Sequence, residues 1–200
     1  MIIYGASGHG KVVADTASEL GKKVVAFFDD NPDLQSFLEC PVINHYDPDK
    51  YNGHGLIIAI GDNQIRKKIA NIVKHNLETI ISADAKISSS VQIEKGTVVF
   101  HGAVIQYDTK IGKNVIVNTA VAVDHDCKIN DFVHLAPSST LCGGVEIKEG
   151  VMIGAGATII QGVTIGEWSV IGAGAVVVDD VPPYALYVGC PAKFIKKLKQ

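Results

Sequence analysis

The chain has 200 residues, of which 47% are hydrophobic and 20% are charged, and its formal net charge is −3. This composition provides enough apolar residues for one or two compact domains, and the slight negative charge argues against nucleic acid as a partner. No stretch approaches eighteen consecutive apolar residues and the first residues lack a basic start, so we expect neither a membrane-spanning helix nor a signal peptide.

The first eighty residues alternate between strand-like and helix-like segments. The apolar runs at residues 2–4, 22–28 and 56–60 predict three short strands, and the helical periodicity of residues 11–20 and 64–75 predicts two amphipathic helices. Strands that alternate with helices favour a small, mostly parallel α/β domain with a Rossmann-like sheet.

The glycine-rich loop "GASGHG" follows the first predicted strand. Its glycines allow backbone N–H groups to approach an anion at the start of the next helix. Asp29 and Asp30 end the second predicted strand, where acids accept hydrogen bonds from ribose or sugar hydroxyls in dinucleotide folds. The G-x-x-G-x-G spacing and the small domain favour a mononucleotide or nucleotide-sugar over a nicotinamide cofactor. A tight turn without any ligand is the alternative.

An internal repeat occupies the rest of the chain. Every sixth residue from Ile81 to Val177 is aliphatic, which gives seventeen consecutive anchors without a break. The residue four places after each anchor is small or β-branched, and Asp, Asn and Gly are frequent between them. A period of six fits neither a helix nor a simple meander, whereas it fits a parallel β-helix with three short sides per 18-residue coil.

Two histidines lie nine residues apart in the stretch "VDHDCKINDFVHLAP". Counting from the anchors places His125 at a coil corner, with Gly143 one 18-residue coil above it on the same corner, where a glycine is expected to leave room for a ligand. Asp126 follows His125 directly and is placed to orient it as a base, although a solvated surface histidine is the alternative. His134 is half a coil away, so the two histidines can share one site only if one of them comes from a neighbouring subunit of a closed homotrimer.

The four cysteines, Cys40, Cys127, Cys142 and Cys190, form no C-x-x-C pair and match no zinc motif. We expect reduced thiols in a cytoplasmic protein. Cys127 occupies an inward position of the repeat, which argues against a thiol nucleophile.

The C-terminal segment "PAKFIKKLKQ" is basic and has the spacing of a short amphipathic helix. We expect residues 185–200 to cap the last coil of the β-helix. A second role, the attraction of a ligand's phosphates by its lysines, stays open at this point.

The hexapeptides, the "GASGHG" loop, "VDHDC", "FVH" and the terminal "VGCPAK" together resemble the bacterial hexapeptide-repeat sugar acetyltransferases. The resemblance covers nearly the whole chain and is strongest to the nucleotide-sugar N-acetyltransferases of the bacillosamine pathway. It implies an α/β nucleotide-sugar domain at residues 1–80 and a left-handed parallel β-helix at residues 81–184. It further implies a homotrimer with acetyl-CoA as co-substrate, a UDP-linked amino sugar as acceptor, and no bound metal or permanent cofactor.

The same resemblance assigns roles to individual residues. It implies that His125 is the general base and that Asp126 raises its basicity, although many relatives have Glu at that position. It implies acetyl-CoA contacts at His134, Ala155 and Ala173, and we add the amide of Gly143 as the oxyanion donor. The implied contacts to the nucleotide-sugar are Ser7, Gly8, His9, Asp29, Asp30 and Gly61.

Three other functions stay open at the level of sequence. Sialic acid O-acetyltransferases share the layout and need similar base chemistry. A non-catalytic β-helix scaffold would not need the glycine-rich loop. A metal-dependent hydratase of the carbonic anhydrase type would need His101, His125 and His134 to converge on zinc.

Overall fold

A computed structural model describes residues 1–199. The first part of the chain is an α/β domain. Its elements are β1 (Ile2–Tyr4), α1 (Gly8–Glu19), β2 (Ala26–Phe28), β3 (Ser36–Phe37), β4 (Cys40–Ile43), β5 (Leu56–Ile58) and α2 (Asn63–Ile72). The sheet has the strand order β3-β4-β2-β1-β5. The strands β1, β2, β4 and β5 are parallel, and β3 pairs antiparallel with β4. The three predicted strands and the two predicted helices are confirmed.

The hairpin of β3 and β4 is the part of this domain that sequence patterns did not predict. Its two-residue turn is Leu38-Glu39, and both residues have a positive φ, 49° and 61°. Such turns usually contain Asn or Gly, and neither residue gives that signal here.

The repeat forms seventeen two-residue strands, each of which ends on a predicted anchor. They stack into three parallel sheets, which we call faces 1, 2 and 3. Face 1 contains β6 (Ile80–Ile81), β9 (Val98–Val99), β12 (Ile116–Val117), β15 (His134–Leu135), β18 (Met152–Ile153) and β21 (Val170–Ile171). Face 2 contains β7 (Lys86–Ile87), β10 (Val104–Ile105), β13 (Ala122–Val123), β16 (Thr140–Leu141), β19 (Thr158–Ile159) and β22 (Val176–Val177). Face 3 contains β8 (Gln92–Ile93), β11 (Lys110–Ile111), β14 (Lys128–Ile129), β17 (Glu146–Ile147) and β20 (Thr164–Ile165).

The strand register confirms the 18-residue coil of a left-handed parallel β-helix. Ile105 pairs with Val123, and Val123 pairs with Leu141, so each anchor lies beside the anchor one coil away. The anchors from the third coil onward are almost completely buried, and the chain turns the corners with left-handed backbone, as at Asp126 (φ 58°) and Gly144 (φ 68°). This geometry explains why Asp, Asn and Gly recur between the anchors.

The α/β domain docks on the outer side of face 1. The first residues of the early face 1 strands, Ile80, Val98 and Ile116, are buried in one cluster with Ile3 of β1 and Val13 of α1. These outward positions would be exposed on an isolated β-helix. Their apolar side chains therefore fix where the two domains meet.

The prediction of a C-terminal helix is wrong. The segment forms β24 (Lys193–Lys197), which pairs antiparallel with β23 (Ala185–Val188) at the end of face 1. The last strand of the β-helix exposes unpaired backbone groups, and β24 supplies hydrogen bonds to that edge. Phe194 and Ile195, which lie between lysines of this strand, stay about half exposed at 54% and 53%.

Among residues 1–199, the helices are all too short or too polar to cross a membrane.

Candidate active site

The His125 imidazole lies on the corner between faces 2 and 3, directly after β13. Its Nδ1 lies 2.7 Å from Oδ2 of Asp126, and its backbone N–H donates to Oδ1 of Asp124 at 2.8 Å. The hydrogen bond with Asp126, followed by the charge of Asp124, raises the pKa of His125 above its usual value. The ring is therefore oriented by Asp126 and has increased basicity, and the side chain is largely exposed.

Gly143 lies one coil above His125, as the 18-residue spacing predicts. A Cβ atom at Gly143 would lie 2.8 Å from both Cε1 and Nε2 of His125. The imidazole itself thus fills the space that a side chain would need, whereas we expected that space to be open for a ligand. The local requirement for glycine here is steric, because the ring of His125 lies against the backbone.

His134 occupies a different environment, on the outer side of face 1 beneath the α/β domain. Its Nδ1 lies 3.3 Å from the carbonyl oxygen of Gly61, and its Nε2 lies 3.2 Å from Nδ2 of Asn118. Burial, followed by the positive charge of Arg66, lowers the pKa of His134 to about 4. His134 is therefore neutral near pH 7.

The glycine-rich loop places Ser7 immediately before α1 and His9 in its first turn. The His9 ring packs edge-on against Phe100 at 5.5 Å and lies 6.5 Å from the ring of His134. Burial, followed by the charges of His134 and Arg66, lowers the pKa of His9 to about 4. Its Nε2 is buried and has no hydrogen-bond partner within the described residues. The loop, Gly61 and His134 thus form one continuous polar region between the two domains.

Asp29 and Asp30 lie at the carboxyl end of β2, on the same edge of the sheet as the glycine-rich loop. Asp29 accepts from the backbone N–H of Ala6 at 2.7 Å and from that of Asn31 at 3.0 Å. Asp30 accepts from the hydroxyl of Tyr4 at 3.0 Å. Asp29 therefore orders the glycine-rich loop, and both carboxylates retain lone pairs for further donors.

A cleft of about 500 Å³ extends from this region between the two domains. Gly61 and Asn63 line one side, Met152 and Val170 of face 1 form the floor, and Leu198 of the C-terminal segment lies on the far side. The carboxyl edge of the α/β sheet and face 1 therefore share a concave surface.

Ala155 and Ala173 lie on another corner, between faces 1 and 2, and both are exposed. They are stacked one coil apart, with the Gly174 N–H donating to the carbonyl of Ala155 at 2.8 Å. His125 and Gly143 lie on the corner between faces 2 and 3, so one chain does not bring the two groups together.

Three residues that sequence patterns did not single out occupy the domain interface: Asn63, Arg66 and Asn118. Asn63 donates to the carbonyl oxygens of Gly150 and Val151 at 3.0 and 3.1 Å. Arg66 is 1% exposed, although it lies in a helix that looks solvent-facing from its composition.

Cys127 and His101, the third histidine of the repeat, have other surroundings. Cys127 is buried, its Sγ lies 3.2 Å from the carbonyl of Cys142, and burial raises its pKa, all of which disfavour a nucleophilic thiolate. His101 bonds to Glu19 of α1 at 2.9 Å. Within residues 1–199 of one chain, His101, His125 and His134 therefore do not converge as a zinc hydratase would require.

Two segments of the chain match protein-family descriptions. Residues 1–73 match the PglD N-terminal domain, and residues 144–179 match the bacterial transferase hexapeptide (six repeats). These segments coincide with the α/β domain and with the later coils of the β-helix.

Solved structures resemble the chain over nearly its whole length. PerB from Caulobacter crescentus, solved in complex with CoA and GDP-perosamine, is 38% identical with a TM-score of 0.92, covering 98% of this chain and 96% of that chain. The acetyltransferase domain of PglB from Neisseria gonorrhoeae, also solved with acetyl coenzyme A, is 38% identical with a TM-score of 0.89, covering 97% and 98%. WeeI from Acinetobacter baumannii is 30% identical with a TM-score of 0.83, covering 97% and 98%.

A curated relative matches a shorter segment. An uncharacterized protein of Acanthamoeba polyphaga mimivirus is 40% identical over 94 residues, which make up 46% of this chain and 19% of the viral protein. The match therefore spans about a fifth of that relative's length.

Proposed function

This chain belongs to the hexapeptide-repeat sugar N-acetyltransferases, and from that premise we propose that it transfers the acetyl group of acetyl-CoA to the amine of a nucleotide-linked amino sugar. The observation that carries the proposal is the oriented pair of His125 and Asp126, with 2.7 Å between Nδ1 and the carboxylate. A histidine held in this way, with a side chain that is 60% exposed, is suited to accept a proton from an attacking amine.

The reaction proceeds by direct transfer. The sugar amine attacks the thioester carbonyl, the new N–C bond forms, and His125 Nε2 takes the amine proton. The C–S bond then breaks, and the proton passes to the departing thiolate of coenzyme A. The amide of Gly143 is our candidate donor to the oxyanion that develops on the carbonyl oxygen. No permanently bound cofactor is required, since acetyl-CoA is consumed as a co-substrate.

We assign the nucleotide-sugar to the carboxyl edge of the α/β sheet. There the first-turn amides of α1 suit a phosphate and Asp29 and Asp30 suit hydroxyls. His9 offers a buried Nε2 that has no partner among residues 1–199. The residues Ser7, Gly8 and Gly61 complete this acceptor site. His134 lies on face 1 within 3.3 Å of the Gly61 carbonyl, so we place it at the meeting point of acceptor and donor.

The donor site requires a second subunit. Ala155 and Ala173 form a smooth ladder for the pantetheine arm, but they lie on a different corner from His125. A threefold homotrimer of parallel β-helices brings these two corners of neighbouring subunits together. We therefore propose that each site combines His125 of one subunit with the alanine ladder of the next.

We propose a UDP-linked 4-amino dideoxy sugar of the bacillosamine type as the acceptor. PerB shows that a relative with the same architecture takes a GDP-linked amino sugar. The deciding experiment measures coenzyme A release from acetyl-CoA with UDP-, GDP- and dTDP-linked amino sugars and with free sialic acid. Coenzyme A release with sialic acid alone would show an O-acetyltransferase instead of an N-acetyltransferase. No coenzyme A release with any of these acceptors would contradict the proposal.

Asp126→Asn is expected to shift the acidic limb of the pH profile of kcat/KM to lower pH. The base works in its neutral form, so activity rises with pH through the pKa of His125. Asp126 raises the pKa of His125, so replacing its carboxylate with a neutral amide lowers that pKa. The plateau at high pH should also fall, because the ring loses its orienting carboxylate. Asp124→Asn should produce the shift without the loss of plateau, since Asn can still accept from the His125 backbone. An acidic limb that stays in place in Asp126→Asn would mean that another group sets it.

Gly143→Ala is expected to lower kcat by about 100-fold with little change in thermal stability. The new Cβ would lie 2.8 Å from the imidazole, and a displacement of about 1 Å of a catalytic group can cost this much. Gly143 has no positive φ, so alanine can adopt its backbone conformation. Gly53→Ala is the control, because its Cβ would meet nothing within 4 Å and its φ is also ordinary. An unchanged kcat in Gly143→Ala would show that the ring position is unimportant.

A further inference from the structure

Arg66 of α2 is buried at the boundary between the two domains, and its side chain is almost completely surrounded by oxygen acceptors. It is 1% exposed. The guanidinium donates to the carbonyls of Asn114 (2.9 Å), Ile60 (2.9 Å), Gly61 (3.2 Å), Phe132 (2.9 Å) and Val133 (3.4 Å) and to Oδ1 of Asn63 (2.7 Å).

These acceptors belong to both domains. Ile60, Gly61 and Asn63 follow β5 in the α/β domain, whereas Asn114 and Phe132 lie on successive coils of the β-helix. The planar guanidinium therefore fixes the turn after β5 relative to face 1, as a rigid fork of donors is suited to do.

The charge of Arg66 has no ion-pair partner within residues 1–199. Burial lowers its pKa to about 9, and the charge of Asp62 opposes that shift. A buried cation with only neutral acceptors contributes little to stability compared with an apolar side chain of similar volume. The presence of arginine here is better explained by the geometry that it imposes than by the stability that it adds.

The carbonyl oxygen of Gly61 receives a second donor, which is His134. Oδ1 of Asn118 accepts from the backbone N–H of Thr119 at 2.8 Å, so the amide nitrogen of Asn118 faces His134. Nε2 of His134 is therefore the acceptor, and Nδ1 carries the proton that it donates to Gly61. Arg66 and His134 thus share one carbonyl, and Arg66 holds that carbonyl in place.

Electrostatics acts in the same direction. The charged groups that act on His134 and His9 include the Arg66 cation for both rings, and no carboxylate contributes to either shift. Arg66 therefore favours the neutral form of both imidazoles. In that form Nε2 of His134 is unprotonated and can accept the hydrogen bond from Asn118.

We propose that Arg66 is a positioning residue of the acceptor site, which acts through the carbonyl of Gly61 to fix the tautomer and orientation of His134. This inference rests on the proposed function, because it assumes that the amino sugar binds between the glycine-rich loop, Gly61 and His134. The effect of Arg66 on the tautomer and orientation of His134 does not depend on any substrate.

The test compares Arg66→Met, which removes both fork and charge, with Arg66→Lys, which keeps a charge without the fork. Lys67→Met is the matched control on the same helix, since Lys67 pairs with Glu149 of the β-helix but touches neither Gly61 nor His134. The ¹⁵N resonances of the His134 imidazole, recorded across a pH titration of the unliganded protein, report its tautomer and its pKa directly.

In Arg66→Met we expect the pKa of His134 to rise and its single Nδ1–H tautomer to be lost. In Arg66→Lys we expect the tautomer to change while the pKa stays low. The KM for the nucleotide-sugar should rise by about 10-fold or more in both variants, and by a larger factor than the KM for acetyl-CoA. The carbonyl that Arg66 releases belongs to Gly61 of the acceptor site, whereas His134 lies where acceptor and donor meet. Lys67→Met should match wild type in every measurement.

Unchanged His134 resonances in Arg66→Lys would overturn the inference even if Arg66→Met does not fold. A KM that rises equally for both substrates would also overturn it, because the effect would then be a general loosening of the fold. If no amino sugar supports coenzyme A release, the proposed function is contradicted, but the His134 resonances still test the role of Arg66. The two proposals can therefore fail independently.

Discussion

Replacing His125 with alanine is expected to lower kcat by at least about 100-fold, the lower range for removal of a general base. Asp126 would keep its place on the corner, but no other described imidazole lies near it, because His101 and His134 lie on or beside other faces. The side chain of His125 is 60% exposed, so its removal leaves no cavity in the core. Coenzyme A release under saturating substrates measures the effect.

Two observations separate loss of chemistry from loss of structure. The thermal unfolding temperature and the binding of acetyl-CoA should stay close to wild type in His125→Ala. Lys128→Ala, at an exposed position in the next strand, serves as the control for an exposed truncation and should keep its turnover. If His125→Ala retained more than a third of the wild-type kcat, His125 would not be the base.

The β-helix could be predicted in detail from sequence because its period is enforced by packing. Each anchor pairs with the anchor one coil away, as Ile129 does with Ile147, so one misplaced polar residue would be buried in the interior. The corner positions of His125 and Gly143 follow from the same count, and the structure places them one above the other.

The domain interface could not be predicted because it depends on side chains whose type points elsewhere. Arg66 lies among Gln64, Lys67 and Lys68, a composition that is typical of a solvated helix face, yet it is buried against coil carbonyls. His134 is the first residue of its strand, and only the docking of Gly61 above it shows that its outward side chain is partly buried. Long-range pairs such as Asn114 with Arg66 leave no periodic trace in a single sequence.

The prediction of a helix for the C-terminal segment was wrong for a related reason. Phe194, Ile195 and Leu198 have helical spacing, but "KFIKK" can equally form a strand whose side chains alternate. The open edge of β23 decided between the two, and that edge exists only once the coils have stacked. Local propensity was overridden by a tertiary hydrogen-bonding requirement.

In the proposed homotrimer, mixed assemblies are expected to restore activity from two inactive variants, which tests the proposal that each site is shared between subunits. His125→Ala damages the corner between faces 2 and 3, and Ala173→Leu blocks the corner between faces 1 and 2. In a cyclic trimer, every site draws one corner from each of two neighbours.

Any trimer that contains both variants then has one undamaged site. That site pairs the intact His125 of an Ala173→Leu subunit with the intact ladder of a His125→Ala neighbour, and the other two sites lack at least one half. Purification through two different affinity tags selects such trimers. Their turnover at low acetyl-CoA should reach about one third of wild type, since one of the three equivalent sites of a cyclic trimer is intact.

The control is a mixed trimer of His125→Ala with His125→Asn, which damage the same corner and should give no recovery in any arrangement. Ala173 is exposed, so leucine at this position obstructs the ladder without disturbing the coil. A site built within one chain would give no recovery with the first pair either, because every subunit would then contain one lesion. Turnover should recover when the two variants damage different corners and should not recover when both damage the corner of His125. That result would place the alanine ladder and His125 on opposite sides of one subunit interface.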